Sequence, residues 1–341
     1  MGKPTVHDIA KEAGVSLATV DRVLNARAGV REKTVKRVQD AIESLGYIRD
    51  LSAANLARQR QYRFAFVLPE GHGEFVQTLC DALTEAAHAQ RADRTAVKII
   101  RTATHDPHAL SDTLNALDLD EFEGLAIMAP ETPQLRDAIT RLKAGGLAVV
   151  ALVSDLPNSE RDHFVGIDNV AAGRTAAVLM GRFIGGNAGK VLIAANSMLA
   201  HDSIERRLGF DAAMSERFAN ITVLPSLESH GDPERMRDIV TAALRTHPDV
   251  AGIYSLGTGN AAVLDATQKA GHQRPVTIAH ELTPLTRHAL EAGTLDAVIT
   301  QNVGHLVRSA IRVLRAKCDD ADIIASQERI RIEIVIRENL P

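Results

Sequence analysis

The sequence predicts two folds in one chain, an all-α helix-turn-helix domain followed by an α/β domain with doubly wound parallel sheets. The first 63 residues carry 12 Lys and Arg against 7 Asp and Glu, whereas the rest carries 27 against 36, although the 341 residues sum to −4. Apolar residues recur at helical spacing up to Leu45, and from Phe64 onward short apolar runs alternate with amphipathic segments. With 3 Tyr, 8 Phe and no Trp, the core must be aliphatic, as it is where helices cover buried parallel strands.

The basic N-terminal part begins with two short predicted helices. Thr5 stands three residues before Asp8, as in a capping box, and the first helix is expected over about 6–13. Gly14 can adopt the positive φ of a tight turn, and Ser16 is a good N-cap for the second helix. Two short helices joined by a turn of about three residues form a helix-turn-helix.

A third helix is expected over about 32–45, with Gly46 suited to its C-cap. Three such helices can close a small core. The second helix then directs its outward residues toward the DNA major groove, and these residues are Leu17, Ala18, Asp21 and Arg22, with Thr19 and Asn25 at the flanks.

The segments TVHDIAKEAGVSLATVDRVLN, REKTVKRV, LGYI and AANLA together resemble the lactose-repressor (LacI) family of transcription regulators, without gaps over about the first 60 residues. Arg22 can fork onto guanine, whereas Leu17 and Ala18 offer only apolar contact to bases. Asp21 replaces the family's small hydroxyl residue, which leaves the operator preference open. The DNA contacts that the resemblance implies are Thr5, Ser16, Leu17, Ala18, Thr19, Arg22, Asn25 and Thr34.

Residues 49–61 are expected to form a hinge helix or linker after a helix-turn-helix domain of residues 1–48. The run DLSAANLAR is too short to be a stable helix alone, because helix nucleation is costly. The resemblance implies that it orders on DNA in a dimer, where Leu56 wedges into the minor groove and Ala53 and Ala57 allow two hinge helices to pack closely. A plain linker is the alternative.

Residues 62–341 are expected to form the effector-binding and dimerisation domain. Its ten apolar runs, from FAFVLP to DAVITQN, alternate with helical stretches and predict two parallel-sheet subdomains with a cleft between them. The pattern is similar to the family's effector domain, which resembles periplasmic sugar-binding proteins. That likeness implies three chain crossings, expected near His163, Gly293 and Ile324, so that the N-subdomain takes about 62–163 and 294–324 and the C-subdomain about 164–293 and 325–341.

The ligand is expected at the carboxyl ends of the strands, facing the cleft. Arg206 matches the arginine that forks onto sugar hydroxyls or carboxylates in these binders, with Arg207 as its rival, and Phe75 matches the aromatic platform for a sugar ring. The remaining contacts come from strand ends and from the likeness, and they are His72, Ser154, Asp155, Gly257, Thr258, Glu281 and Gln301.

Signals for other classes are weak. GGNAGK at 185–190 lacks both the spacing and the strand-loop-helix order of a phosphate loop, and His105 and His108 lack a third metal ligand. No nucleophile motif stands out, so no enzyme, cofactor or metal is expected. An N-terminus without an apolar leader run favours the cytoplasm over a secreted solute-binding protein, which the second domain alone would also fit.

These observations predict a dimeric transcriptional regulator, most simply a repressor, that binds a pseudo-palindromic double-stranded DNA operator and senses a sugar-like small molecule in the cleft. A homodimer is expected and a tetramer is compatible with the sequence. A pure solute-binding protein and an enzyme on a doubly wound fold are the alternatives, and fold alone never excludes the second.

Overall fold

The structure, a computed structural model, describes residues 4–24, 27–47, 60–71, 73–90, 94–103, 106–257, 259–269 and 274–341. The chain divides into two compact units, residues 1–60 and residues 61–341.

The first unit has three helices among its described residues, α1 (Val6–Ala13), α2 (Leu17–Leu24) and α3 (Glu32–Leu45). Their apolar faces meet in a small core in which Ile9, Val20 and Val38 are fully buried. The predicted helix-turn-helix is therefore present, with the third helix closing its core.

The predicted caps of these helices are confirmed. The backbone N–H of Thr5 donates to Asp8 Oδ2 at 2.8 Å, and the Thr5 hydroxyl receives the N–H of Asp8 at 3.4 Å, which completes the capping box. Gly14 and Gly46 end α1 and α3 in the left-handed conformation, at φ 60° and 59°. Glycine suits this turn because of its positive φ, and an added Cβ on Gly14 would also stand 2.9 Å from Nη2 of Arg37.

The second unit begins with a five-stranded parallel sheet of order β2-β1-β3-β4-β5. The central strands β1, β3 and β4 are almost continuous apolar runs because helices cover both faces of the sheet there, whereas the edge strands β2 and β5 are less buried. We call this sheet with its helices the N-lobe. Its elements are β1 (Tyr62–Pro69), α4 (Glu74–Ala89), β2 (Thr95–Thr102), α5 (Pro107–Asn115), β3 (Gly124–Ile127), α6 (Pro133–Ala144), β4 (Ala148–Leu152) and β5 (His163–Val165).

The chain then builds a six-stranded sheet of order β11-β10-β9-β8-β6-β7, the C-lobe. Its consecutive elements are α7 (Asn169–Ile184), β6 (Gly189–Ala195), α8 (His201–Arg217), β7 (Ile221–Glu228), α9 (Pro233–Thr246), β8 (Val250–Ser255), α10 (Asn260–Lys269), β9 (Val276–His280), α11 (Pro284–Glu291) and β10 (Ala297–Gln301). The chain finally runs through α12 (Val303–Cys318), α13 (Ala325–Glu328) and β11 (Ile332–Val335).

All ten strands that the apolar runs predict are present. Strand β11 is an addition, and it pairs antiparallel with β10 at the edge of the C-lobe sheet. As expected of an edge strand, β11 is partly exposed: Glu333 and Ile334 face solvent, whereas Val335 is buried.

The crossing expected near Gly293 is wrong. Gly293, at φ 69°, only turns the chain from α11 into β10, and β10 pairs in parallel with β9 inside the C-lobe sheet. The next helix, α12, packs on β3, β4 and β5 of the N-lobe, so the chain returns between Gln301 and Val303. Residues 294–301 therefore belong to the C-lobe, because the buried strand AVITQ finds its partners there. The other two crossings follow β5 and α12.

The backbones of helices α7 and α8 approach each other closely at two glycines. A Cβ on Gly209 would stand 2.0 Å from the carbonyl oxygen of Val170, and one on Gly173 would stand 1.9 Å from the carbonyl oxygen of Arg206. Only glycine fits at either position, and the close approach brings the N-terminus of α7 beside the middle of α8. That contact positions the candidate site described below.

Candidate functional site

Two groups of predicted residues occupy different units. The first is the outward face of α2, which consists of Ser16, Leu17, Ala18, Asp21 and Arg22. All five are exposed, whereas Val20 on the opposite side is fully buried. Leu17 exposes 42% of its surface, so its apolar side chain is accessible to a base edge.

The start of α2 is fixed by local hydrogen bonds. The hydroxyl of Ser16 receives the backbone N–H of Thr19 at 3.2 Å and lies 2.9 Å from the Thr19 hydroxyl. This N-cap confirms the sequence prediction. The N–H groups at such a helix start favour an anion, which fits the expected approach of Ser16 and Thr19 to a phosphate.

The carboxylate of Asp21, which faces the expected DNA, forms an ion pair with Arg27. Its Oδ2 lies 3.3 Å from Nη1 of Arg27, and both side chains are more than half exposed. The pair reduces the repulsion that a lone carboxylate would exert on a phosphate backbone.

Arg37 is a residue that the sequence analysis missed. From α3 its Nη2 donates to the carbonyl oxygens of Ala13 and Gly14, at 3.2 Å for Gly14. It therefore holds the turn of the helix-turn-helix against the third helix. Its signal was hidden because an arginine on an exposed helix face looks like any solvated charge.

Two of the remaining predicted DNA contacts, Thr5 and Thr34, belong to the described residues. The hydroxyl of Thr5 donates to Asp8 Oδ2 at 2.7 Å, beside the capping box, and Thr34 is half-buried in the first turn of α3. The other predicted contacts, Asn25, Ala53, Leu56 and Ala57, lie outside the described residues.

The second group lies in the C-lobe, around the buried guanidinium of Arg206, which is 2% exposed. Its Nε donates to Asn169 Oδ1 at 2.9 Å, and its Nη1 donates to the carbonyl oxygen of Leu256 at 2.6 Å. Asp202, one helical turn earlier on α8, lies 3.5 Å from Nη1, and Glu281 lies 3.8 Å from Nη2. One arginine thus joins α7, α8 and the ends of β8 and β9.

Glu281 and Gln301 form the other half of this cluster. Gln301 Nε2 donates to Glu281 Oε1 at 2.9 Å, and the Thr300 hydroxyl donates to Oε2 at 3.3 Å. Both side chains end buried strands at the same edge of the sheet, as the sequence predicts for residues facing a cleft. Glu281 has φ 70°, a left-handed conformation that costs a non-glycine residue about 1 kcal/mol or more and that functional positions often retain.

Several polar atoms of this cluster have no hydrogen-bond partner among the described residues. They are Asn169 Nδ2, Arg206 Nη2 and Gln301 Oε1, two donors and one acceptor, all on buried side chains. Unsatisfied buried polar atoms cost about 1–3 kcal/mol each, so their convergence in one place indicates a site for a polar ligand. We call Asn169, Asp202, Arg206, Glu281 and Gln301 the cleft cluster.

Burial shapes the protonation of the cleft cluster. It raises the pKa of Glu281 to about 7, against the lowering effect of Arg206. Burial also lowers the pKa of His280 well below its ordinary value, with Arg206 acting in the same direction, so His280 is neutral. The hydroxyl of Tyr254 lies 2.7 Å from His280 Nε2, which closes the buried floor behind Glu281.

Arg207, the alternative candidate for the ligand arginine, faces away from the cleft cluster. Arg207 Nε donates to Asp211 at 2.7 Å, and its Nη1 donates to Ser226 at 2.8 Å, on the side of α8 next to the edge strand β7. Arg206 and Arg207 are neighbours in the chain but point to different sides of their helix.

Two hydrogen bonds join the lobes beside the cleft cluster. The Ser154 hydroxyl of the N-lobe accepts from the backbone N–H of Asp202 at 3.3 Å. The carboxylate of Glu74, at the start of α4, accepts from the N–H of Leu285 at the start of α11, at 3.2 Å. The cleft cluster therefore lies at the junction of the lobes.

The remaining predicted ligand residues have different surroundings. Asp155 is bound on both carboxylate oxygens by Arg161, at 2.6 Å for Arg161 Nη2, so it stabilises its own N-lobe loop. Phe75 is half-buried against the largest hydrophobic cluster of the second unit, next to Glu74 in the chain. Gly257, at φ 150°, follows Leu256, and a Cβ there would stand 3.6 Å from Arg206 Nη1. His72 and Thr258 lie outside the described residues.

Asn169 and Asp202 are the cluster members that the sequence analysis missed. Asp202 could have been found as the residue four before Arg206 on the same helix face. Asn169 follows the predicted strand run FVGID directly, where the chain enters the second lobe. Its contact with Arg206 depends on the close packing of α7 and α8.

The described residues contain no group of three His, Cys, Asp or Glu side chains arranged to hold a metal ion. Every helix within the described ranges is too short or too polar to span a membrane.

Comparison with known families gives a match for each unit. Residues 5–50 match the model of bacterial regulatory proteins of the lacI family, and residues 64–322 match a periplasmic binding protein domain. The transcriptional regulator DegA of Bacillus subtilis is 27% identical over 177 residues, which cover 51% of this chain and 51% of DegA. The chain thus spans about half the length of this curated relative.

Solved structures share the fold of the second unit. A glucose-galactose binding protein of Geobacillus stearothermophilus, GanP, superposes with a TM-score of 0.74 at 20% identity, over 83% of this chain and 99% of GanP. A putative LacI transcriptional regulator from Bacteroides fragilis superposes with a TM-score of 0.70 at 20% identity, over 82% of this chain and 98% of that one.

Proposed function

Because the chain belongs to the lacI family of bacterial regulatory proteins and carries a periplasmic binding protein domain, we propose that it is a ligand-responsive regulator of transcription. Its N-terminal unit would bind a pseudo-palindromic operator as part of a homodimer. Its second unit would bind a polyhydroxylated small molecule at the cleft cluster and would catalyse no reaction. As a DNA-binding regulator it would act in the cytoplasm.

One observation carries the sensing half of this proposal. Three buried polar atoms on Asn169, Arg206 and Gln301 lack hydrogen-bond partners, and the side chains of Arg206 and Gln301 contact the buried carboxylate of Glu281. Neighbouring donors and acceptors of this kind match hydroxyl groups, each of which can donate and accept. A ligand that satisfies them would draw on both lobes, because Ser154 is bonded to Asp202 beside the cluster.

The DNA-binding half is supported by the exposed face of α2. Arg22 offers a fork for guanine, and Leu17 and Ala18 offer apolar contact for a thymine methyl group. One helix with so few base contacts selects a site weakly, and two copies on adjacent half-sites supply the missing specificity. In this proposal Leu56, with Ala53 and Ala57, completes the interface in the minor groove.

The coupling between the two halves would be a change in lobe orientation. A ligand that bridges Ser154, Asp202 and the cleft cluster favours one arrangement of the lobes, which in turn alters the spacing of two DNA-binding units in the dimer. Coupling energies of this kind are typically about 1–3 kcal/mol.

DNA selection tests the proposal directly. The full-length chain is incubated with a random duplex library, and the bound fraction is amplified and sequenced over several rounds. The expected result is enrichment of two half-sites related by approximate two-fold symmetry, with two chains per duplex in sedimentation. Failure of any sequence to be enriched would contradict the proposed function.

The sensing half is tested by thermal shift of the full-length chain against sugars, polyols and sugar acids, since a bound ligand stabilises the folded state. The variant Arg206→Met should lose both the ligand-induced rise in Tm and the ligand's effect on DNA affinity. Arg207→Met is the matched control on the outer side of the same helix and should keep both. An unchanged response in Arg206→Met would remove the cleft cluster from the ligand site.

A further inference from the structure

The cleft cluster has one cation and two acids, of which Glu281 is buried and Asp202 is partly exposed. Asp202 and Glu281 each face the Arg206 guanidinium, but only over the long distances of 3.5 and 3.8 Å. The side chains of Arg206 and Glu281 are 3% and 6% exposed, and that of Asp202 is 17% exposed. At this depth an unbalanced negative charge is costly unless a cation joins it.

Arg206 has little left to offer an anionic ligand. Its Nε and Nη1 are already committed to Asn169 and to the carbonyl oxygen of Leu256. Nη2 makes no hydrogen bond to the described residues but faces Glu281 Oε1 at 3.8 Å, so a phosphate or carboxylate ligand that bound Nη2 would compete with that carboxylate. Such a ligand would also meet the two acids at close range.

No second cation balances the pair of acids within the described surroundings of Glu281. The titratable and charged groups that face it are Arg206 and Asp202 from α8, with Tyr254 on β8 and His280 on β9 behind them. His280 is neutral because burial lowers its pKa well below the ordinary value, and burial raises the pKa of Tyr254. Strand β10 contributes only Thr300 and Gln301, which are uncharged hydrogen-bond donors.

In the protein without ligand, a proton on Glu281 can supply the missing positive charge. A ligand ammonium group can supply it as well, with three N–H donors for Glu281 Oε1, Asp202 and the unpartnered Gln301 Oε1. Resting on the proposed sensing function, we propose that the cleft cluster binds a hydroxylated amine of the amino-sugar or aminopolyol class, whose ammonium group pairs with Glu281 and displaces its proton.

The exchange balances in charge and atoms. The ligand arrives with one positive charge, and up to one proton leaves Glu281 for the solvent. Affinity for the amine should therefore rise with pH until Glu281 is ionised, by about tenfold between pH 6 and pH 8 for a group that titrates near 7.

Three matched linear probes test the charge preference on the full-length chain. They are 1-amino-1-deoxy-D-glucitol, D-glucitol and D-gluconate, which differ only at the first carbon, and hexosamines of gluco, galacto and manno configuration with their parent sugars extend the series to rings. Thermal shift at pH 6.5 and 8 should rank an amine first, the neutral partner second and the anion last. A neutral or anionic probe that matches or exceeds its amine, or no stabilisation by any amine, would overturn the proposal.

Calorimetry separates proton displacement from mere affinity. Titration of the best amine in two buffers of different ionisation enthalpy at pH 7 should give release of roughly half a proton per ligand. Glu281→Gln should abolish both this release and the pH dependence of amine binding, whereas Asp211→Asn, which removes an acid on the outer side of α8, should change neither. Equal proton release from wild type and Glu281→Gln would assign the effect to another group and contradict the proposal.

The outcome also distinguishes this proposal from the function on which it rests. Arg206-dependent binding of a neutral sugar, with a change in DNA affinity, would leave the regulator intact and reject the amine. Loss of DNA selection would reject the regulator whatever the probes show.

Discussion

The outward face of α2 and the cleft cluster use their functional side chains in opposite ways. On α2, Leu17 and Arg22 project into solvent, and the core of the first unit does not depend on them. In the cleft cluster, Arg206 and Glu281 are buried and are bonded to neighbouring elements that they help to hold together. A change on α2 should therefore affect binding alone, whereas a change in the cleft should affect folding and binding together.

The largest expected effect is the pH dependence that Glu281 gives to the free energy of unfolding. Because the folded-state pKa is about 7, above the ordinary 4.5, the folded protein binds a proton more tightly than the unfolded chain does. The stabilising contribution is complete below about pH 4.5, decreases as pH rises through 4.5–7, and is lost above 7, a total of about 3 kcal/mol.

Denaturant unfolding of wild type and Glu281→Gln between pH 5 and 8 measures this contribution. The difference in free energy of unfolding between the two proteins should shift in favour of Glu281→Gln as pH rises. If this difference stayed constant between pH 5 and 8, Glu281 would be ionised in the folded protein at all these pH values. The claim that burial of Glu281 links the cleft cluster to folding would then fail.

The second effect concerns the packing that builds the cleft. Gly209→Ala places a Cβ about 2.0 Å from the Val170 carbonyl oxygen, so α7 and α8 must separate, and we expect a loss of about 1–3 kcal/mol in the free energy of unfolding. The same separation pulls Asn169 from Arg206, so the ligand response should weaken as well.

Gly73→Ala is the matched control for this substitution. Gly73 has φ −61° at the N-cap of α4, and the nearest atom to an added Cβ is 4.0 Å away on Val76. Thermal melts should show a small loss, of at most about 1 kcal/mol, because alanine is a poorer N-cap residue than glycine. If Gly209→Ala melted like Gly73→Ala, the close approach of α7 and α8 would not be required for stability.

The sequence allowed accurate prediction wherever the signals are local. Helices α1 and α3 have the predicted bounds, because Thr5, Gly14 and Gly46 supply caps that act within one turn. The crossing predicted near Gly293 failed because a glycine turn looks the same whether the chain changes lobe or simply enters the next strand of the same sheet. Asn169 was missed for a related reason, since its role appears only when Gly173 and Gly209 bring two helices together.

The third effect tests the α2 side of the contrast. Arg22→Ala removes the guanine fork and should weaken binding to the selected operator by about 1–3 kcal/mol, with the Tm and the ligand response unchanged. Fluorescence anisotropy with operator and with scrambled duplex separates specific from non-specific binding. Equal loss on both duplexes would make Arg22 a phosphate contact rather than a base contact, and no loss would remove it from the interface.

The smallest effect concerns the exposed ion pair of Asp21 and Arg27, at 3.3 Å. Such pairs contribute at most about 1 kcal/mol to stability, so the free energy of unfolding of Asp21→Asn should lie within about 0.5 kcal/mol of the wild-type value.

The same substitution, Asp21→Asn, removes a negative charge beside the DNA and releases Arg27 for a phosphate. Operator affinity should therefore rise slightly, and the slope of its salt dependence should steepen by about one phosphate contact. Anisotropy titrations at several salt concentrations measure that slope, and Glu43→Gln removes an equal charge from α3 as control. If both variants steepened the slope equally, the net charge of the unit rather than the α2 face would control affinity, because screening acts on exposed charges wherever they lie.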